Sequence, residues 1–296
     1  MPFPSLTASL TAALVLFHQT GVASPILHEK RTTLAPRKAV NFVDCTKNEK
    51  DKLEKGFADA ATLGIYAYSN MKTDSKPWEH YFRTGDGKDT DYDKARSVWS
   101  MVESNNDPTN APYTFSVRCG KKTDKSCKSG KSVGVTDSKP QDGNTLREML
   151  ICPLFFKDDS KETTHNLDFR KFEKPKRGQD NSWCAPGNNF IWYEVAGHTL
   201  LHEMTHLNAF GEAAGVPEHK DSKEGFMTHG TDDVGGLGNS YPVAARKLAE
   251  IWQKGQEEEG TLKPYQNAEN LAGAALEWYM MDNCAKSGNP ISEIPL

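Results

Sequence analysis

Apolar positions along the chain recur first at helical spacing. From Asn41 to about Thr73, Leu53, Phe57, Ala60, Ala61 and Ile65 fall on one face, and Thr46 followed by Glu49 forms a capping box, so one long amphipathic helix is predicted there. A short helix over Trp78 to Arg83 follows. A longer one runs from Tyr92 to Ser104, with Ala95, Val98, Trp99 and Val102 facing inward and Asp107-Pro108 ending it. The period then drops to two. Tyr113, Phe115 and Val117 alternate with smaller or polar residues, Ser132 to Val135 is β-prone, and Glu148 to Phe156 is a mostly apolar run, which predicts three strands of a small sheet. Lys157 to Asn189 is polar and aperiodic, with Pro175, Gly178, Pro186 and Gly187, as in a functional or mobile insertion. Phe190 to Phe210 is apolar on nearly all sides, the pattern of a central buried helix, with Gly211 suited to the left-handed position after it. Two further helices are predicted, Tyr241 to about Lys254 and Ala268 to Asp282. The sum is an α+β domain, mainly helical with a small β-sheet.

Met1 to Ala23 contains no Asp, Glu, Lys or Arg, and the apolar run Leu10 to Phe17 is followed by Gly21, Val22 and Ala23. Residues 1–23 therefore read as a secretory signal peptide, too short for a transmembrane span. Residues 24–31 form a short segment closed by the dibasic pair Lys30-Arg31, and residues 32–296 are left as a single domain. A mean hydropathy of -0.68 and a charged fraction of 26% argue against a membrane span. The 36 Lys and Arg against 40 Asp and Glu leave no basic excess for nucleic acid. Six cysteines, all beyond the signal segment, predict up to three disulfides in an oxidising compartment. Cys119 is expected to pair with Cys127 across the polar loop Gly120 to Ser126, which leaves Cys152 with Cys184, tying a strand to a loop, and Cys45 with Cys284, tying the two ends of the domain together. No Asn-x-Ser/Thr acceptor for N-glycosylation is present.

Chemistry concentrates in the predicted central helix, where His202-Glu203-Met204-Thr205-His206 matches HExxH. Spacing of four places both imidazoles on one face, able to bind one Zn²⁺, with Glu203 on the adjoining flank as general base. Two imidazoles and a carboxylate inside a buried helix would otherwise cost free energy. A third protein ligand is then required. Ala209 and Glu212 exclude HExxHxxGxxH, and His198 lies two turns, about 12 Å, before His206. The alternatives are Glu269 on a later helix, or a carboxylate of Gly230-Thr231-Asp232-Asp233, with His219 and His229 as further options.

HExxH followed by G-T-x-D resembles the deuterolysins, fungal secreted zinc endopeptidases of the aspzincin group, whose pattern is HExxH and then G-T-x-D-x-x-Y-G with the Asp as third ligand. The resemblance covers most of the chain after the signal segment. Weaker echoes lie at the Cys45 helix, Tyr81-Phe82-Arg83, Cys152 to Phe156, Asn267 to Asn270 and Cys284. It implies a zincin-like fold and a single Zn²⁺ on His202, His206 and Asp233. The sequence departs from the family where its Tyr should stand: that position is Gly236, and the nearest tyrosine is Tyr241. An inserted loop, Gly235 to Ser240, would let Tyr241 serve as oxyanion donor. The stretch between Ala23 and Cys45 is shorter than the long propeptide typical of the family. Residues 157–189 and 208–228 look like insertions bordering the cleft.

These features predict a secreted, extracellular zinc-dependent endopeptidase, compatible with a cell-wall location. It would be monomeric, acting on protein or peptide substrates, with Glu203 as general base and then acid. The alternative class is a secreted zinc-binding surface antigen or zinc scavenger with little or no proteolytic activity.

Overall fold

The computed structural model describes residues 40–104, 113–140, 147–157, 166–167, 172, 182–185 and 188–296. The predicted signal peptide, the dibasic site and most of the 157–189 insertion lie outside them. The described part is mixed α+β. Strands β1 (Val40–Val43) and β2 (Phe115–Cys119) pair in parallel. Strand β3 (Gly134–Thr136) runs antiparallel to β4 (Glu148–Ile151), which in turn is parallel to β2, so the order is β1-β2-β4-β3 with β3 at one edge. A parallel β1–β2 pair demands a long crossover. It is supplied by α1 (Lys47–Asn70), α2 (Lys76–Tyr81) and α3 (Lys88–Ser104).

The capping box of α1 forms as predicted: Glu49 N–H donates to Thr46 Oγ1, and Thr46 N–H donates to Glu49 Oε2 at 2.8 Å. The helix starts later than its apolar pattern suggested, however. Residues 40–43 are taken by β1, and a turn through Asp44 at positive φ separates strand from helix. At the α2–α3 junction the guanidinium of Arg83 pairs with buried Asp91, and Trp78 Nε1 donates to the Arg83 carbonyl at 2.8 Å. This satisfies polar groups that would otherwise be stranded beside the stacked Trp78 and Phe82 rings.

Past β4, Pro153–Phe156 forms a 3₁₀ turn, so the predicted strand is cut short at Ile151. The single helix expected over Phe190–Phe210 is instead three pieces: a 3₁₀ turn Phe190–Trp192, α4 (Ala196–Thr205) and α5 (Asn208–Ala213). Helix α4 stops because the carbonyl of Thr205 accepts from Thr231 N–H at 2.9 Å, while Leu207 adopts an extended conformation. Gly211, expected after the helix, sits inside α5 with the His229 carbonyl pressed against it. A short hairpin follows, β5 (His219–Lys220) and β6 (Met227–Thr228). Helices α6 (Tyr241–Gln253) and α7 (Ala268–Lys286) complete the chain, close to their predicted limits except that α7 runs one turn further.

Every residue of α4 except Thr199 is buried, the central placement its composition predicted. It packs against α1 and α7, and Gly197 lies close against the α1 backbone. A Cβ there would lie 2.7 Å from the backbone nitrogen of Ala60.

Three disulfides staple the unit, none with the pairing expected from the sequence. Cys45 bonds Cys119, Cys127 bonds Cys152 and Cys184 bonds Cys284. The register of β1 on β2 sets Val43 beside Arg118, so the chain leaving β1 passes the end of β2 and Cys45 meets Cys119. Hydrogen bonds from Gly120 N–H to the Ile151 carbonyl and from Cys152 N–H to the Val133 carbonyl fold the 120–133 loop over the end of β4. Cys127 therefore reaches Cys152. Among the described residues no helix is long and apolar enough to cross a membrane.

Non-reducing peptide mapping is expected to recover these three linkages and no Cys119–Cys127 peptide. Gly197→Ala should lower stability by about 1–3 kcal/mol through overpacking against the α1 backbone, measured by denaturant titration. An unchanged midpoint would mean that the α1–α4 contact is looser than described.

Candidate metal centre

His202 lies in the last turn of α4 and His206 caps it, so the two rings share one face one turn apart. The residues Gly230-Thr231 bring the third group to them. A Cβ at Gly230 would lie 2.0 Å from the His206 carbonyl oxygen, so only glycine allows the loop so near the helix end. Thr231 then bonds the helix twice more: its carbonyl accepts from His206 Nδ1 at 2.8 Å, and its hydroxyl pairs with that of Thr205 at 2.8 Å. On the far side the loop is pinned to the start of α7. Asp232 N–H donates to the Gln266 carbonyl, and Ala268 N–H to the Asp232 carbonyl.

The two adjacent aspartates have separate tasks. Asp232 is turned into the loop, where its carboxylate accepts from Ser222 N–H at 2.6 Å and from Asp233 N–H at 2.7 Å. Asp233 is turned to the histidines, with Oδ1 at 3.1 Å from His202 Nε2 and 3.3 Å from His206 Nε2. The two Nε2 atoms lie 3.2 Å apart. Ligands about 2.0–2.1 Å from a tetrahedral Zn²⁺ are roughly 3.3 Å from one another, so this near-equilateral triangle has the size of three corners of such a site.

Protonation makes the case stronger. His206 Nδ1 faces a carbonyl, and His202 Nδ1 lies 3.0 Å from Glu269 Oε2, so each Nδ1 donates and each neutral ring turns the lone pair of Nε2 inward. Asp233 Oδ1 is buried and receives no hydrogen bond. Three electron-pair donors thus converge where only positive charge relieves their repulsion. The electrostatics show the same demand for positive charge, which a proton on the rings meets when no ion is bound. Burial opposes the imidazolium form of His202, yet Asp233 and Glu269 outweigh it and hold its pKa well above the usual value; His206 is also raised, mainly by Asp233 against burial. Burial likewise opposes the Asp233 carboxylate, but the facing imidazoles hold it far below the usual range.

Glu269, a ligand alternative in the sequence, proves to be an outer partner: its two oxygens bridge His202 Nδ1 and His198 Nε2 at 3.0 and 3.1 Å. His198 is accordingly a hydrogen-bonded helix residue. His229 is bonded through Nδ1 to the Val216 carbonyl at 2.7 Å, and neither it nor His219 lines the cleft. Among the described residues, His202, His206 and Asp233 are the one group of His, Cys, Asp or Glu able to share a metal ion.

The triad opens into a cleft of about 650 Å³. Glu203 lines it, accepting from the Thr136 hydroxyl at 2.7 Å; a Cβ on neighbouring Gly134 would press to 2.8 Å from Glu203 Oε1. Tyr241 stands at the rim, 55% exposed, its ring centroid 5.3 Å from that of His202. The exposed loop Gly235–Ser240 separates it from Asp233. Chiefly the Asp233 charge, and then burial, raises the Tyr241 pKa, so its phenol keeps its proton at neutral pH. Sequence patterning missed Thr136 and Lys223. The ammonium of Lys223 lies 3.1 Å from Asp233 Oδ2, the oxygen turned away from the histidines. The second predicted insertion does border the cleft, through Asp221, Lys223, Glu224 and Phe226.

No protein-family model matches the chain, and no curated protein matches it.

The purified protein should bind one equivalent of zinc. Asp233→Ala should remove most of this affinity, and Glu269→Gln should weaken it roughly 10–100-fold by freeing the His202 ring. Competition with a chromophoric chelator measures both. Undiminished affinity in Asp233→Ala would exclude it as a ligand.

Proposed function

We propose that this chain is a secreted zinc-dependent endopeptidase of the deuterolysin-like, aspzincin type, with a zincin-like architecture and one Zn²⁺ held by His202, His206 and Asp233. The observation that carries the reading is the convergence of three buried electron-pair donors beside a fourth group, Glu203, that lines the same cleft. A centre for storing metal has no need of that carboxylate.

When bound, Zn²⁺ supplies Lewis-acid polarisation of a scissile carbonyl and lowers the pKa of water toward about 7. Glu203 takes the proton of the attacking water and passes it to the departing amine. Thr136 engages one Glu203 oxygen, which fixes the carboxylate plane and leaves the other oxygen for proton transfer. In this reading the protonated phenol of Tyr241 donates to the oxyanion; its ring centroid lying 5.3 Å from that of His202 supports the assignment.

Two features favour a peptide as substrate. Strand β3 pairs with β4 on one side only, and its residues Gly134, Val135 and Thr136 line the cleft, so an extended chain can add to that edge by backbone hydrogen bonds. Three disulfides and a charge-free apolar N-terminal segment agree with export to an oxidising compartment.

Glu203→Gln should retain zinc while kcat/KM on a casein-derived peptide falls by roughly 10²–10⁴-fold. Near-normal turnover in that variant would sink the mechanism. Tyr241→Phe should lower kcat by about 10²-fold with little change in KM; wild-type kcat would remove Tyr241 from the chemistry. A chelator should abolish activity and zinc restore it, and a protein that binds zinc yet cleaves nothing would support a zinc-binding antigen or scavenger instead.

A further inference from the structure

The chain carries a formal net charge of -4, yet residues 118–131 hold six basic side chains and one acidic. Five of the six, Lys121, Lys122, Lys125, Lys128 and Lys131, are exposed. The sixth, Arg118, is neutralised from two sides, with Glu148 Oε1 at 3.0 Å and Asp124 Oδ2 at 3.3 Å. Asp124, the one carboxylate of the stretch, is thereby engaged, and it also accepts from the Lys121 backbone N–H. Among the described residues none of the five ammonium groups is in an ion pair. Like charges held this close repel one another and weaken the folded state, whereas a merely solvated surface intersperses both signs.

The loop that carries them is firmly built. Asp124 N–H donates to the Lys121 carbonyl at 2.9 Å, Cys127 N–H to that of Asp124 at 3.0 Å and Gly130 N–H to that of Cys127 at 3.1 Å, a run of three linked turns. The Cys127–Cys152 bond and the hydrogen bond from Gly120 N–H to the Ile151 carbonyl fasten the run to the end of β4. Cations on a fixed frame lose less freedom when a ligand binds than cations on a mobile one.

Its position connects the loop to the triad. Lys131 lines the cleft, and Gly134, three residues on, opens β3 beside the Glu203 carboxylate. A chain that adds to the free edge of β3, in either direction, passes the Gly134 end and runs out along the lysines, which begin roughly 10 Å from Glu203 at the rise of an extended strand. Within the cleft itself carboxylates outnumber the two lysines, Lys131 and Lys223. Acidic residues are therefore disfavoured beside the reacting bond and favoured only beyond it.

We infer that the Lys121–Lys131 loop is an exosite for acidic segments of protein substrates. A run of Asp and Glu beginning about three extended residues from the scissile bond docks on the loop while the bond lies at the His202–His206–Asp233 triad. The inference rests on the peptidase reading of this cleft. Binding so far from the reacting atoms is equal in ground and transition state, so it lowers KM and leaves kcat unchanged. Acting between exposed charges, it is screened by salt.

The test compares peptides that share one cleavable sequence and differ in their flanks: neutral, with a Glu tract on the C-terminal side, or with the tract on the N-terminal side. For the purified zinc-loaded protein at low salt, the tract on one side should lower KM by roughly 10-fold with kcat unchanged, and about 0.5 M salt should erase the gain. A variant combining Lys122→Glu, Lys125→Glu and Lys128→Glu should lose the gain and favour a Lys tract on that same side. It should bind zinc and cleave the neutral peptide as wild type does, which checks its folding. No gain from either tract, an equal gain from both, or a gain that survives the charge reversal overturns the exosite and leaves the peptidase reading intact. If wild type shows no chelator-sensitive cleavage, the peptidase reading fails, and fluorescence anisotropy with a labelled Glu-tract peptide decides the loop separately. Salt-sensitive binding that the triple variant loses supports an acidic-peptide surface; absent binding, or equal binding by the variant, overturns it. Adsorption to phosphatidylserine vesicles without binding of the peptide also overturns it, in favour of a lipid surface.

Discussion

Two imidazoles fixed one turn apart inside a buried helix, each with its outer nitrogen already donating, are a problem that the rest of the fold must solve. The inner lone pairs face one another and Asp233 at the floor of the cleft, and they cannot satisfy one another. Asp233 brings a third set of electron pairs rather than a hydrogen-bond donor, so the cluster calls for positive charge, which protonated rings supply in the absence of an ion and which the proposed Zn²⁺ would supply when bound. Much of the surrounding structure serves this arrangement. Gly197 lets α4 sink against α1, Gly230 lets the aspartate loop reach the helix end, and the broken backbone at Thr205–Leu207 provides the carbonyl on which that loop hangs.

The outer contacts explain how the geometry stays fixed. Glu269 ties His202 to α7, the Thr231 carbonyl ties His206 to the loop, and Asp232 closes the loop on itself and on residues 222 and 266. Each ring is thereby held in one tautomer and one orientation. Lys223 engages the Asp233 oxygen that the histidines do not face. Since this ammonium is largely solvent-exposed, its effect is on orientation more than on stability.

Local signals in the sequence were good guides where the physics is local. The capping box of α1, the limits of α6, the burial of α4 and the pairing of His202 with His206 all follow from residues a few positions apart. The Gly-Thr-Asp-Asp stretch pointed to Asp233, the carboxylate that the structure turns toward both histidines, although periodicity alone left Glu269 and Asp232 open. What could not be read depends on distant partners. Residues 40–43 are a strand because Phe115–Arg118 lie beside them; their own pattern continued that of the helix. The helix over 190–210 breaks because Thr231 claims a carbonyl. All three disulfide pairings expected from the sequence were wrong, since the tertiary fold, and for Cys45 with Cys119 the strand register, decides which cysteines meet. Thr136 and Lys223 carry no motif and gain meaning only from the cleft they enter.

The order in which these parts leave the ribosome gives the arrangement a temporal side. The HExxH helix is made well before Asp233, Glu269 and the segment around Leu296, and α7, which carries the outer partner of His202, is further secured by Cys284 through its bond to Cys184. A nascent or incompletely oxidised chain would own both histidines without the groups that orient them. The three converging side chains can therefore meet only after the loop carrying Asp233 has been made and α7, with Glu269, has docked against α4.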